Sequence, residues 1–428
     1  MRYIHRIAPA ALMAAAGCLS TPPAPAAGDG PNGTIDAAVP DAGNPVDAPT
    51  DARVFHPDGP IDGAPPFICP IIGYPPSNID CAEITDPSES DFEIFGGDSV
   101  SIDTDDPASC PSELSCTMVL QVQSQTPVMV ATARSFQIDD GGRLFVSGSA
   151  PLVLLVATTV TIDGTLFVAP RGPGISTVCD PGSGESGDGD PIDDGPGGGG
   201  GGFGSAGGEG GNGCISSNPD CADVDRIRLA GGQEVGEASL VPLRGGCPGG
   251  SGGAGGDSGN TGFGGDGGNG GSAIQISAGD EINIFGDVIA PGGGGDGAQD
   301  GNAGSCGNGG GGGGGAGGGI LLEAPIVGGQ GVLDARGGGG GAGCDDGQAN
   351  SDRDGQVDGQ GGFAADNAGG GGDGAFADQP AGAGGTTAGA GGGGGGGGLG
   401  RVRINACVSN TGEISGSFST GQLPGVCQ

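Results

Sequence analysis

The chain has 428 residues, of which 108 are glycine and only 4% aromatic, a composition that cannot fill several ordinary cores and points to one elongated, backbone-dominated domain. Its 13 basic residues are all arginine and face 51 acidic ones, for a net charge of −38. Without lysine there is no P-loop lysine, Schiff base or lysine general base, and the charge repels nucleic acid and anionic lipid while favouring divalent cations.

The first residues, MRYIHRIAPAALMAAAGC, place Arg2 and Arg6 before an apolar run from Ile7 to Ala16 that is too short to span a bilayer, as in an export signal. The run ends in Ala15-Ala16-Gly17-Cys18, which resembles a bacterial lipobox, with Ala15 standing where leucine is usual. That resemblance implies cleavage before Cys18, its acylation, and attachment to the outer membrane or cell surface; cleavage near Ala27 into a secreted form is the alternative. Residues 19–66 follow as a Pro, Ala, Asp and Gly tract that buries too little apolar surface to order itself. It is a stalk, extended enough to hold a domain on the order of 100 Å from its anchor.

Setting Cys18 aside leaves twelve of the 13 cysteines, an even number in an oxidising compartment. Close spacing suggests the pairs Cys69–Cys81, Cys110–Cys116, Cys214–Cys221 and Cys407–Cys427. The connectivity of Cys179, Cys247, Cys306 and Cys344 stays open. Zinc is disfavoured, since no C-x-x-C pair occurs and His56 is the only histidine after the signal.

From residue 67 onward short alternating strands recur. RSFQIDDGGRLFVSG (134–148) is followed by TTVTIDGTLFVAP (158–170), with Leu144 and Val146 matching Leu166 and Val168. A period of roughly 22 residues, broken at Asp–Gly turns, is that of one coil of a parallel β-helix. Alternation sets Val160, Ile162, Leu166 and Val168 inward. Residues 152–172 align with 273–293 and with 319–338 when Ala157, Ala278 and Ala324 are matched, and 401–421 is a last, degenerate copy. After each Ala-Pro or Ala-Arg the chain leaves into a glycine-rich insert, at about 172–270, 292–318 and 337–399. The expected fold is therefore all-β: a parallel β-helix or solenoid with long inserts leaving one corner, spanning 67–428.

Within 249–272 glycine occupies 250, 253, 256, 259, 262, 265, 268 and 271, an unbroken period of three. Three residues per turn is the polyproline II or polyglycine II geometry, and glycine in register lets backbones pack side by side. Such inserts are expected to order as a bundle held by main-chain hydrogen bonds, against a backbone entropy cost of about 1–2 kcal/mol per residue. The homopolymeric run 391–398 carries no register, and its order is left open.

Chemistry is sparse. NSDRDGQVDGQG (350–361) puts Asn350, Asp352, Asp354 and Asp358 at ligand positions of an EF-hand-like calcium loop and resembles the loops of thrombospondin type 3 repeats; Gly361 replaces the bidentate glutamate. GGSGG (249–253) matches a serine-hydrolase elbow by composition alone. A pectate-lyase-like site built on Asp139, Asp140 and Arg143 is the enzymatic alternative, turn residues with solvated charges the plainer one.

As a whole the chain resembles glycine-rich surface lipoproteins of Gram-negative bacteria, and its inserts resemble the repeat domains of mycobacterial PE-PGRS proteins. The resemblance implies a non-enzymatic, cell-surface structural or adhesive lipoprotein presenting a rigid acidic rod, with no resident cofactor apart from calcium. Its implied partners are the membrane through a lipid anchor, cell-envelope polysaccharide or other surface proteins, and no nucleic acid. A calcium-dependent polysaccharide-binding or lyase-like protein is the alternative.

Overall fold

The computed structural model describes residues 69–170, 179–187, 194–214, 226–257, 260–299, 308–344, 355–357, 359–363, 368–377, 379–384, 391–423 and 426–427. Contacts divide the chain into Met1–Gly63 and Ala64–Gln428, and every described residue lies in the second unit.

The described fold is all-β. Two strands, β1 (Asp91–Ile94) and β2 (Ser99–Asp103), precede β3 (Ser115–Leu120), which turns back on β4 (Pro127–Ala133) as the one antiparallel pair at the edge of the large sheet. From β4 on, each sequence copy supplies strands in a fixed order. The first copy gives β4, β5 (Ser135–Ile138) and β6 (Arg143–Ser147); the second gives β7 (Leu152–Val156), β8 (Thr159–Ile162) and β9 (Thr165–Val168). Two short ribbons lie in the first insert, β10 (Gly213–Cys214) with β11 (Arg226–Ile227), and β12 (Gly255–Asp257) with β13 (Asn260–Gly262). The third copy gives β14 (Ala273–Ala278), β15 (Glu281–Ile284) and β16 (Asp287–Ile289). In the fourth, β17 (Gly319–Gly329) runs through the place of two strands before β18 (Val332–Asp334), and the fifth repeats this with β19 (Arg401–Asn410) and β20 (Glu413–Ser415). A last strand, β21 (Ser417–Gly421), begins another copy.

Copies stack in parallel. Second-position strands pair β1-β5-β8-β15-β17, third-position strands pair β2-β6-β9-β16-β18-β20, and first-position strands pair β4-β7-β14-β17-β19-β21. Inward residues form ladders such as Leu144, Leu166, Val288 and Leu333, all fully buried in one core shared by both sheets. Each such side chain removed from water contributes about 1.5–3 kcal/mol. Val160, Ile162, Leu166 and Val168 do face this core. The outward side of the first-position strands is buried too, beneath residues 69–84 and 240–243, which bring Ile72, Tyr74, Ile79 and Leu243 onto Val153, Leu155 and Leu321.

One register differs from the sequence alignment. Leu152 pairs with Ile274 and Val156 with Ala278, so Ala157 does not stand level with Ala278; the true offset between these copies is one residue longer. A slip of one residue exchanges the two faces of a strand. β7 alone does not reveal it, because all five of its residues are apolar and buried, on one side in the shared core and on the other under residues 69–84 and 240–243; the alternating strands β8 and β15, with Val160 level with Ile282 and Ile162 with Ile284, carry the same offset.

The described parts of the inserts are joined mainly by main-chain hydrogen bonds. Gly195 and Gly198 donate to Asn308 O and Gly311 O, Gly311 and Gly314 to Gly392 O and Gly395 O, and Gly392 and Gly395 back to Gly195 O and Gly198 O, all at 2.8–2.9 Å. The arm 309–318 touches six others. It donates to 247–253, 392–398 and 290–296, and accepts from 265–271, 198–201 and 338–344, each neighbour being met at every third residue. The stretch 249–272 is not one continuous helix: it doubles back at β12 and β13, so that Gly246, Gly249 and Gly252 donate to Gly271, Gly268 and Gly265 on its returning half. The run 391–398 is also placed, buried at the centre of the bundle.

Candidate functional site

Two buried polar junctions are the most organised side-chain clusters. The first centres on Glu323, an outward residue of β17 that is 1% exposed. Ser277, Glu323 and Asn405 stand level on β14, β17 and β19. Oε2 of Glu323 accepts from Gln275 Nε2 at 2.8 Å, Ser277 Oγ at 3.0 Å and the Ser77 amide at 3.2 Å. Oε1 accepts from Asn405 Nδ2 at 3.0 Å and from the Ser77 hydroxyl. Beside it the Tyr74 hydroxyl lies 2.6 Å from Glu323 O and 2.9 Å from Ala278 O. Burial, and then the Glu323 charge, push the Tyr74 phenol well above its ordinary range, against the bond to Ala278. Asn78 extends the network, donating to Gln275 Oε1 and Leu240 O, both at 3.0 Å, and accepting the Leu243 amide at 2.9 Å.

The second junction joins the bundle to the sheets. Arg401, at the start of β19, donates to Glu234 Oε1 at 3.0 Å, Val235 O at 3.1 Å and Phe203 O at 3.2 Å. The guanidinium carbons of Arg401 and Arg244 lie 5.4 and 5.6 Å from the centre of the buried Phe203 ring. Arg244 Nη2 also approaches the Cys247 sulfur at 3.6 Å. Burial, then the Arg401 charge, lower the Arg244 pKa. A smaller pair, Arg336 to Asp334 at 2.5 Å, is stacked on Phe376 at 4.5 Å.

Both junctions spend their polar groups within the chain. Every Glu323 oxygen is used by donors of the same chain, and Arg401 is spent on Glu234 and two carbonyls. Among the described residues no three His, Cys, Asp or Glu side chains are grouped to hold a metal ion.

The sequence-derived candidates fall as follows. Cys18 and the calcium quartet Asn350, Asp352, Asp354 and Asp358 lie outside the described residues, as does Cys221 of the Cys214–Cys221 pair. Cys69–Cys81, Cys110–Cys116 and Cys407–Cys427 are disulfides, and Cys179–Cys247 is a fourth whose pairing the sequence left open. Cys344 is disulfide-bonded too. Asp139 accepts from Gln137 Nε2 at 2.7 Å, and Arg143 forms no ion pair with Asp139 or Asp140. Arg134 instead pairs with Asp91, and its hydrogen bonds, with those of Ser135, lower the Asp91 pKa to about 2. Glu323 and Arg401 were missed. The available signal was a charge set in an apolar run, Glu323 alone in GILLEAPIV and Arg401 with Arg403 in RVRINA.

Comparisons with protein families, with curated proteins and with solved structures found no match for this chain.

Proposed function

We propose that the chain is a non-enzymatic cell-surface lipoprotein with a structural or adhesive role: a parallel β-helix carrying a polyglycine II-like bundle, a rigid acidic rod raised on the 19–66 stalk from an acylated Cys18. The observation that carries this reading is the arm 309–318, whose amides and carbonyls are taken up by six neighbouring arms. An interior made of backbone has no side chains to arrange for catalysis, yet satisfies its polar groups and excludes water. The fixed three-strand order of the copies and their in-register parallel pairing support the β-helix. The charge of −38 keeps such a rod soluble and separate from nucleic acid, and suits it to meet envelope polysaccharide or other surface proteins, with calcium as a bridging ion.

The test is fractionation and lipid labelling of the full chain beside a Cys18→Ala variant, with protease digestion of both. The expected result is an acylated, membrane-bound chain, a released variant, and a resistant domain beginning near Cys69 in each. Calcium-dependent cleavage of an acidic polysaccharide by the purified chain would instead establish the lyase alternative.

A further inference from the structure

The last described step of the stack is open: past β19 and β20, which complete the fifth copy, the described residues show only the first strand of a further one, β21. It pairs in parallel with β19, setting Phe418 level with Val402 and Thr420 with Ile404. Val402 and Ile404 belong to the shared core, so Phe418 and Thr420 face the same interior side. Nothing described covers them: Phe418 is 48% exposed. The other side of β21 is occupied, with the Ser419 hydroxyl donating to Ala238 O at 2.7 Å. Among the described residues β20 and the second half of β19 also have a strand on one side only.

At the opposite end the interior is closed: Phe92 and Ile94, the inward residues of β1, are 4% and 1% exposed, and Leu114 is buried in the same core, against which Cys110 and Cys116 pack. Of the edge strands there, β1 and β2 carry Asp91, Glu93 and Asp103, charges that discourage another strand from adding, whereas β3 carries none. Residues 401–428 contain only Arg401, Arg403 and Glu413, and β21 carries no charge at all. In a chain of net charge −38 this end is a place where two copies meet without strong repulsion.

We propose that the open step is a self-association surface: β21 of one molecule pairs edge to edge with β21 of a second copy, antiparallel about a two-fold axis, and the two Phe418 rings close the exposed interior. A second copy is the occupant that fits, because the contact is self-complementary and β21 brings no charge to it.

Sedimentation velocity on the full chain carrying Cys18→Ser, which removes any acyl anchor, tests this. The expected result is a concentration-dependent dimer that Phe418→Asp and, separately, Thr420→Lys each weaken at least ~tenfold. Phe363→Asp, at an exposed phenylalanine elsewhere, leaves the dimer unchanged. Circular dichroism confirms that each variant is folded. A chain that stays monomeric at every concentration, or a dimer indifferent to both β21 substitutions, overturns the proposal.

Discussion

Gly313→Ala is the sharpest probe of the bundle. Gly313 lies mid-way along the central arm, its N–H bonded to Gly250 O and its carbonyl to the Gly268 amide, both at 2.8 Å. A methyl group there would sit 2.0 Å from Gly199 O and 2.5 Å from Gly199 C, where real contacts of that kind stay beyond 3.0 Å. The two arms must therefore part by about 1 Å, since backbone on both sides leaves no flexible group to give way. The bonds from Gly198 to Gly311 and from Gly201 to Gly314, now 2.9 and 2.8 Å between buried residues, then leave hydrogen-bonding range. Two buried pairs lost at about 1–3 kcal/mol each predict a destabilisation of about 2–6 kcal/mol. Gly370→Ala is the matched control, because its methyl would meet nothing closer than Gly362 O at 3.7 Å. By restricting the unfolded chain it is expected to be neutral or to stabilise by up to about 1 kcal/mol. Guanidinium unfolding of both variants with disulfides intact, followed by circular dichroism, reads the difference. Equal midpoints would refute the six-neighbour packing of arm 309–318.

Two further outcomes follow from the junctions and the exposed pair. Glu323→Ala leaves Gln275, Ser277, Asn405 and Ser77 donors facing a void; a loss of about 3 kcal/mol or more is expected, with hydrogen exchange rising first in residues 69–84. Unchanged protection of that segment would show that the apolar contacts of Ile72 and Tyr74 hold it unaided. For Asp91 the folded pKa, about 2, lies below the ordinary 3.8 because Arg134 and Ser135 bond the carboxylate. Its contribution is therefore present above about pH 4 and is lost as pH falls through about 2. Thermal unfolding should show wild type above Asp91→Asn at neutral pH, the gap closing in acid; a gap that persists at the lowest pH assigns it to something other than this ion pair.

The sequence alone determined the element type and the inward set Val160, Ile162, Leu166 and Val168. These rest on local rules: alternation fixes which side of a strand is apolar, and a glycine period of three fixes an arm's geometry. The ordering of 391–398 and the six neighbours of 309–318 were decided only in three dimensions, because a glycine run carries no mark of which other run it meets. Burial on both sides of β7 removes the register signal from that strand, since no polar residue distinguishes one face from the other, and leaves it to the alternating neighbours β8 and β15. Glu323 became a junction only when residues 69–84 crossed the sheet and brought Ser77 to it, a contact between positions 246 residues apart. What neighbouring residues impose on one another is legible in order along the chain; which distant backbones share their hydrogen bonds depends on the folded path, and no local pattern encodes it.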